Sequence, residues 1–143
     1  MAKKKFKVAG VTFGNGLFKT SRQEVIKKCS VGDFVTLEAD YSNKHDDYAV
    51  KVLTLGNEQI GFIPKGKAKS KRVFLSLQET NLSAKITEIY NFRDESGDRI
   101  FGVEIEVENL LTPSEAEHAD QKGCLGVILL LFGILTLLKT VLI

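Results

Sequence analysis

Cysteine and histidine are both scarce in this 143-residue sequence, with two of each. Cys29 and Cys124 form no CxxC pair, which excludes a disulfide framework. His118 lies in a polar segment near the end of the chain, so His45 is the only histidine inside the predicted fold. A Ser–His–Asp or Cys–His arrangement therefore cannot be argued, nor can a metal site that needs several histidines. We predict that the protein is not an enzyme and that it binds no metal and no cofactor.

Two short motifs resemble catalytic sites but lack essential parts. His45 and Asp46 resemble the adjacent pair of some metal-dependent phosphohydrolases, but neighbours on an extended chain point to opposite faces and further ligands are missing. The stretch "GFIPKGKA" at 61–68 fits the first part of the P-loop pattern. The P-loop then needs a Ser or Thr to ligate Mg²⁺, and Ala68 stands at that position. Neither motif supports catalysis.

Hydrophobic runs are absent until the end of the sequence, where residues 123–143 contain one charge, Lys139, and no proline. As a helix this run would be about 31 Å long, close to the hydrocarbon thickness of a bilayer. We predict a single transmembrane helix. A buried core helix is the alternative, but the rest of the chain is too short to surround a helix that is apolar on every face.

The other end of the sequence does not look like a signal peptide. The basic stretch "MAKKKFKV" is followed by a segment that is too short and too rich in glycine for a hydrophobic core region. The folded part thus precedes the predicted anchor. We expect a single-pass, tail-anchored membrane protein whose N-terminal domain is cytoplasmic and whose residues 123–143 contact membrane lipid.

The net charge is only +2, but the charges are unevenly distributed. Lysines cluster at residues 3–7 and again, with Arg72, at residues 65–72, whereas residues 94–120 are mostly acidic. Two basic clusters on one domain suit contact with phosphates. An ordinary solvated surface explains the same charges equally well, and docking on anionic lipid is a further alternative.

Hydrophobic alternation predicts six short strands ahead of the hydrophobic run. The predicted strands cover residues 6–13, 33–40, 48–55, 59–63, 82–92 and 99–108. Turn residues such as those of "GNE" and "RDESGD" separate them. Strands that are this short and this closely spaced are typical of a small antiparallel barrel of the OB or SH3-like kind.

Two short helices interrupt the predicted strands. The first begins at Ser21, which forms an S-x-x-E capping box with Glu24, and it ends before Gly32. The second follows Pro64, a residue suited to a first helical turn, and extends to about Gln78. The predicted fold is therefore mainly β (α+β), with about six strands and two short helices. The predicted division is a folded domain at 1–108, a linker at 109–122 and a transmembrane helix at 123–143.

Four motifs occur in order along the folded part. They are Gly10 in the first strand; Gly32, Val35 and Leu37; Asn43, Asp46, Ala49, Val50 and Val52; and Ile60, Gly61, Phe62, Ile63 and Pro64. Together they resemble the HIRAN domain over roughly residues 6–90. HIRAN domains occur in chromatin-remodelling helicases and as stand-alone bacterial proteins, and this sequence is similar to the latter.

The resemblance implies a binding site for single-stranded nucleic acid. Helicase-linked HIRAN domains resemble an OB-fold and capture the 3′ end of single-stranded DNA. By position, Asp46 would accept a hydrogen bond from the terminal hydroxyl and Asn43 would order the turn or contact the backbone. Phe13 would stack on a base, as His45 would less strongly, and Lys65 would meet a phosphate.

The sequence also departs from the DNA-binding members of that family. Thr12 stands where they have arginine, His45 where they have an aromatic residue, Phe62 where they have histidine and Tyr48 where they have asparagine. Compared with those members, this sequence lacks the cation at position 12 and has a weaker stacking group at position 45.

Two functions therefore remain open for the domain. The first is non-catalytic binding of single-stranded nucleic acid, and its more specific version is recognition of a free 3′-hydroxyl end. The second is a protein-interaction adaptor that positions an unknown partner at the membrane. A purely structural alternative also stands, in which Asn43 and Asp46 only bond neighbouring backbone amides and hold a turn.

Overall fold

Six antiparallel strands form a single sheet in the computed structural model, which describes residues 1–123. The strands are β1 (Ala2–Lys7), β2 (Phe34–Ala39), β3 (Val50–Thr54), β4 (Gln59–Phe62), β5 (Ser83–Arg93) and β6 (Arg99–Leu110). Their spatial order is β1-β6-β5-β2-β3-β4. The fold is mainly β, as the alternation predicts, and the sheet is a curled half-barrel consistent with an OB-like fold.

The two edges of the curled sheet meet just beyond β1. Ala9 pairs with Phe62 of β4 through two backbone hydrogen bonds, with N···O distances of 2.8 and 2.9 Å. This approach requires a glycine at position 61, because a Cβ there would collide with the Ala9 carbonyl oxygen and lie 2.7 Å from Cγ1 of Val8. The glycine of the "IGFIP" motif therefore permits the contact that joins the first and fourth strands.

Both predicted helices are present. Helix α1 (Arg22–Lys27) begins after Ser21, whose Oγ accepts a hydrogen bond from the Glu24 amide at 3.3 Å. The Glu24 carboxylate pairs with Lys27 rather than returning to Ser21. The second helix has two parts, a π-helical turn at Lys67–Lys71 that is kinked at Lys69 and helix α2 (Arg72–Glu79).

The hydrophobic core lies inside the curl of the sheet. It combines the inward side chains of the strands with one face of each helix. Its fully or almost fully buried members include Val25, Ile26, Val50, Val52, Ile60, Val73, Ile86, Val103, Ile105 and Val107. Burying these side chains is the main favourable term that holds the barrel and its loops in place.

The first strand lies earlier in the chain than predicted. Residues 6–13 were expected to form it, but β1 is Ala2–Lys7 and pairs with β6 at the edge of the sheet. Lys3, Lys5 and Lys7 alternate outward there, while Phe6 points into the core. An edge strand tolerates outward lysines, so the first of the two basic clusters is part of the sheet.

The structure also differs in the predicted linker at 109–122. Asn109 and Leu110 complete β6, and residues 113–123 are helical. Thr112 and Glu115 form a reciprocal capping box: the Glu115 amide donates to Thr112 Oγ1 at 3.3 Å, and the Thr112 amide donates to Glu115 Oε2 at 3.1 Å. Residues 112–115 therefore form a defined helix start within the segment predicted to be a linker.

The helix at 113–123 packs against α2. Ala116 contacts Leu75 and Leu111 in a small buried cluster, and the Lys71 ammonium lies 2.9 Å from the Asp120 carboxylate. Part of the predicted linker is thus attached to the domain surface.

No helix within residues 1–123 is long and apolar enough to cross a membrane. Apart from Gly123, the predicted transmembrane helix at 123–143 lies outside the described residues.

Candidate nucleic-acid interface

The five residues predicted to bind nucleic acid line one groove of about 420 Å³. Phe13 comes from the loop after β1, Asn43, His45 and Asp46 come from the β2–β3 loop, and Lys65 follows β4. Ala9 and Phe62 border the same groove, so the contact that joins the sheet edges also brings these loops together. Candidate residues that lie up to about fifty positions apart in the sequence therefore border the same groove.

Asn43 and Asp46 order the loop between β2 and β3. Oδ1 of Asn43 accepts hydrogen bonds from the amides of His45 and Asp46, at 2.9 and 3.0 Å. Oδ1 of Asp46 accepts one from the Tyr48 amide at 2.9 Å. These are Asx-type turns, so the purely structural role is present. Among residues 1–123, the second carboxylate oxygen of Asp46 has no hydrogen-bond partner, and the residue borders the groove.

Lys65 connects the loop after β4 to the same turn. Its ammonium donates to the His45 carbonyl oxygen at 2.7 Å, although the side chain is exposed. A lysine ammonium has three N–H donors, so two remain for another acceptor. Lys65 therefore supports the turn and still presents positive charge beside Asp46.

Phe13 is the exposed aromatic residue of the groove, with 68% of its surface accessible. The chain turns back at Gly10, whose φ is +71°, a conformation that favours glycine. A Cβ at Gly10 would lie 3.2 Å from the Phe13 ring. The ring thus rests against the glycine backbone on one side and is open to stacking by another planar group.

Arg22 borders the groove and was not among the predicted site residues. Its Nη1 donates to the Gly10 carbonyl at 2.7 Å, and its Nε donates to Oδ1 of Asn15 at 2.9 Å. The guanidinium lies 5.3 Å from the centre of the Phe62 ring, and the residue is only 7% exposed. Burial lowers the pKa of Arg22 from its usual value.

A sequence signal for Arg22 did exist. Arg22 precedes Val25 and Ile26 by three and four positions, which places it on the apolar face of α1. A charged residue on the buried face of a helix needs polar partners nearby, and here they are the Gly10 carbonyl and the Asn15 side chain. The partners themselves could not be identified, because they belong to the irregular loop at residues 10–15.

The groove brings together three kinds of chemistry. Phe13 offers a stacking surface, Asp46 offers a carboxylate oxygen as an acceptor, and Arg22 and Lys65 offer cationic N–H donors. This set suits a ligand that has a planar ring, a hydroxyl group and a phosphate. Within residues 1–123, no group of three or more His, Cys, Asp or Glu side chains is arranged to hold a metal ion. The absence of metal, cofactor and catalysis stays a prediction.

Comparison with known proteins gives a family match and two structural neighbours. The family model described as HIRAN domain matches residues 5–104. No curated protein matches the sequence. The structure is similar to the HIRAN domain of human HLTF at 13% identity and a TM-score of 0.48, covering 82% of each chain. It is also similar to a Lactobacillus plantarum protein at 20% identity and a TM-score of 0.49, covering 76% of this chain and 98% of that one.

Proposed function

The chain belongs to the HIRAN domain family, and from that membership we propose that it is a non-catalytic module that binds single-stranded nucleic acid at a free 3′-hydroxyl end. The observation that best supports this proposal is the groove itself. An exposed aromatic ring, a half-buried carboxylate and two cations from four separate segments border one space.

Each group of the groove has a distinct role in this proposal. Phe13 stacks on the last base, a contact worth about 1–3 kcal/mol that does not depend on sequence. The second carboxylate oxygen of Asp46 accepts a hydrogen bond from the terminal hydroxyl. A further phosphate at that position would instead be repelled by the carboxylate, so a chain end is favoured over a continuing strand. Lys65 lies close enough to the same turn to meet a backbone phosphate.

The turn holds Asp46 in place before any ligand arrives. Asn43 and the Tyr48 amide fix the loop and one carboxylate oxygen, and Lys65 fixes the His45 carbonyl. Binding then requires little ordering of the loop, which lowers its entropic cost.

Fluorescence anisotropy with short labelled oligonucleotides at low salt tests the proposal. We expect Phe13→Ala to weaken binding roughly 5-fold to 150-fold, the range that corresponds to loss of one stacked base. Phe92→Ala is the matched control, since Phe92 is a partly exposed aromatic residue that does not border the groove. Absence of binding by the unaltered protein to any oligonucleotide would reject the proposed function. Equal binding to 3′-hydroxyl and 3′-phosphate ends would reject only the preference for a free end.

An adaptor function is the second candidate, and one surface feature favours it. Phe34 and Leu55 are 56% and 73% exposed and border a shallow concavity on another part of the barrel. Exposed apolar side chains that lie together are typical of protein contacts. Capture of a partner that survives nuclease treatment, is unaffected by Asp46→Ala and is lost in Phe34→Ser would support this function over the first.

For the location of the protein, we propose that residues 123–143 hold it at a membrane as a single-pass anchor with the domain on the cytoplasmic side. The support is the hydrophobic run in the sequence. The protein should remain in the membrane fraction at alkaline pH and enter solution with detergent. Release by alkaline wash alone would reject a spanning anchor.

A further inference from the structure

Within residues 1–123, Arg22 is a buried cation without a buried counter-charge. None of the ion pairs among residues 1–123 includes it, and its hydrogen-bond partners, the Gly10 carbonyl and the Asn15 amide oxygen, are neutral. Removing a guanidinium from water is unfavourable unless an anion or several acceptors replace the lost hydration. The site therefore favours an anionic ligand beside Arg22.

One part of the guanidinium remains available to such a ligand. Nε and Nη1 are engaged, whereas Nη2 bonds to no other residue of the described chain. No buried side-chain nitrogen or oxygen among residues 1–123 lacks a partner, so Nη2 must be in reach of solvent. Arg22 borders the groove together with Phe13 and Lys65, so an anion bound in the groove would lie beside this side chain.

We propose that Arg22 binds a backbone phosphate of the strand that lies in the groove. This inference rests on the proposed function and assigns it a second phosphate contact besides Lys65. Arg22 thereby supplies, from α1, a positive charge to the groove, whereas Thr12, which stands where DNA-binding members have arginine, supplies none. The Phe62 ring and the bonds to Gly10 and Asn15 hold the guanidinium in one orientation, which suits arginine because its planar fork binds oxyanions directionally.

The test measures oligonucleotide affinity of the full chain across a range of salt concentrations. In Arg22→Met we expect affinity to fall roughly tenfold or more, the usual effect of losing a charged hydrogen bond. The slope of log K against log salt should become shallower by about 0.7, the value for one phosphate contact on a single strand. Arg22→Lys should restore the slope but only part of the affinity, because lysine keeps the charge without the planar fork.

Arg99→Met is the matched control, since Arg99 is exposed and does not border the groove. Its affinity and salt slope should equal those of the unaltered protein. If the unaltered protein binds and Arg22→Met retains both affinity and slope, the phosphate contact is rejected and the proposed function stands. If the unaltered protein binds no oligonucleotide, the proposed function is rejected and this contact with it.

A second measurement covers the case in which Arg22→Met does not fold. Lys65→Met leaves Arg22 as the remaining cation among the described residues that border the groove. Neutral methylphosphonate linkages are placed one at a time along the oligonucleotide, and binding to Lys65→Met is measured. At least one linkage should weaken binding, whereas equal binding at every linkage would overturn the inference.

Discussion

At the scale of single residues, Asp46 has a structural role through one carboxylate oxygen, while the other has no partner in the described part of the chain. The sequence alone left open whether this carboxylate bonds its own backbone or faces a ligand. In the structure Oδ1 accepts from the Tyr48 amide, and Oδ2 has no partner within residues 1–123. The two functions of the side chain can therefore be separated by substitutions that keep one oxygen and remove the other.

Asp46→Asn and Asp46→Ala should affect stability and binding differently. Asparagine keeps the Oδ1 acceptor, so its free energy of unfolding should change by no more than about 0.5 kcal/mol. Alanine leaves the Tyr48 amide without its partner and should lower that free energy by about 1 kcal/mol. Both should lose the preference for a 3′-hydroxyl over a 3′-phosphate end, because neither has a carboxylate. Urea unfolding and anisotropy measure the two effects, and a preference retained in Asp46→Asn would contradict the role of the charge.

The thiol of Cys29 should be unusually slow to react in the folded protein. Burial, with the nearby charges of Asp33 and Glu58, raises the pKa of Cys29, and its sulfur donates to the Val25 carbonyl at 3.3 Å. The folded state therefore binds the thiol proton more tightly than the unfolded state does. The stability that this difference contributes is present below the pKa of the unfolded thiol and is lost as pH rises through the pKa of the folded thiol.

Iodoacetamide reaction rates between pH 7 and 10 check this expectation in a Cys124→Ser background. The folded protein should show its half-maximal rate at higher pH than the same chain unfolded in guanidinium, since the thiolate is the reactive form. Coincident pH profiles for the two states would show that the thiol is not perturbed by the fold.

At the scale of elements, alternation in the sequence predicted the strands of the half-barrel because they have one buried face each. Five strands lie close to their predicted bounds. The exception is β1, which has outward lysines. Because lysine is depleted in strands, strand propensity favoured the less charged residues 6–13 instead. The pairing of Ala9 with Phe62 could not be predicted, because no local pattern specifies a contact between positions so far apart.

Gly61→Ala should disrupt the contact between the sheet edges. The new Cβ would collide with the Ala9 carbonyl, so the free energy of unfolding should fall by about 1–3 kcal/mol. The amides of Ala9 and Phe62 should also exchange with solvent faster, since they form the two hydrogen bonds at this contact.

Gly56→Ala is the matched control for that substitution. A Cβ at Gly56 meets only Oγ1 of Thr54, at 3.7 Å, an ordinary contact. Its stability should change by no more than about 0.5 kcal/mol. Urea unfolding and hydrogen exchange distinguish the two variants, and equal stability of both would mean that the sheet edges are not held together as the structure has them.

At the scale of the whole molecule, the grouping of the five candidate residues was easier to predict than the contacts that surround their groove. The resemblance to a family that the chain does belong to gave, by position, Phe13, Asn43, His45, Asp46 and Lys65, and these residues border one groove. Arg22 was missed because a helical pattern shows which face of α1 is buried but not which loop packs over that face. The helix at 113–123 was missed because its segment is polar, although Thr112, Pro113 and Glu115 are typical of a helix start.

The attachment of that helix gives a prediction for the molecule as a whole. Ala116 is 7% exposed and covers Leu75 and Leu111, whereas the Lys71–Asp120 pair is partly exposed and adds little. A chain ending at residue 112 should therefore be less stable than one ending at residue 123 by about 1–2 kcal/mol, mainly through lost burial.

Urea unfolding of the two shortened chains measures this difference, with Asp120→Asn in the longer chain as the control that removes the ion pair alone. Asp120→Asn should behave like the longer chain, because the cluster around Ala116 is intact. Equal stability of the two shortened chains would mean that residues 113–123 do not pack on the barrel. A clear difference would mean that residues 113–123 are held on α2 by the cluster around Ala116.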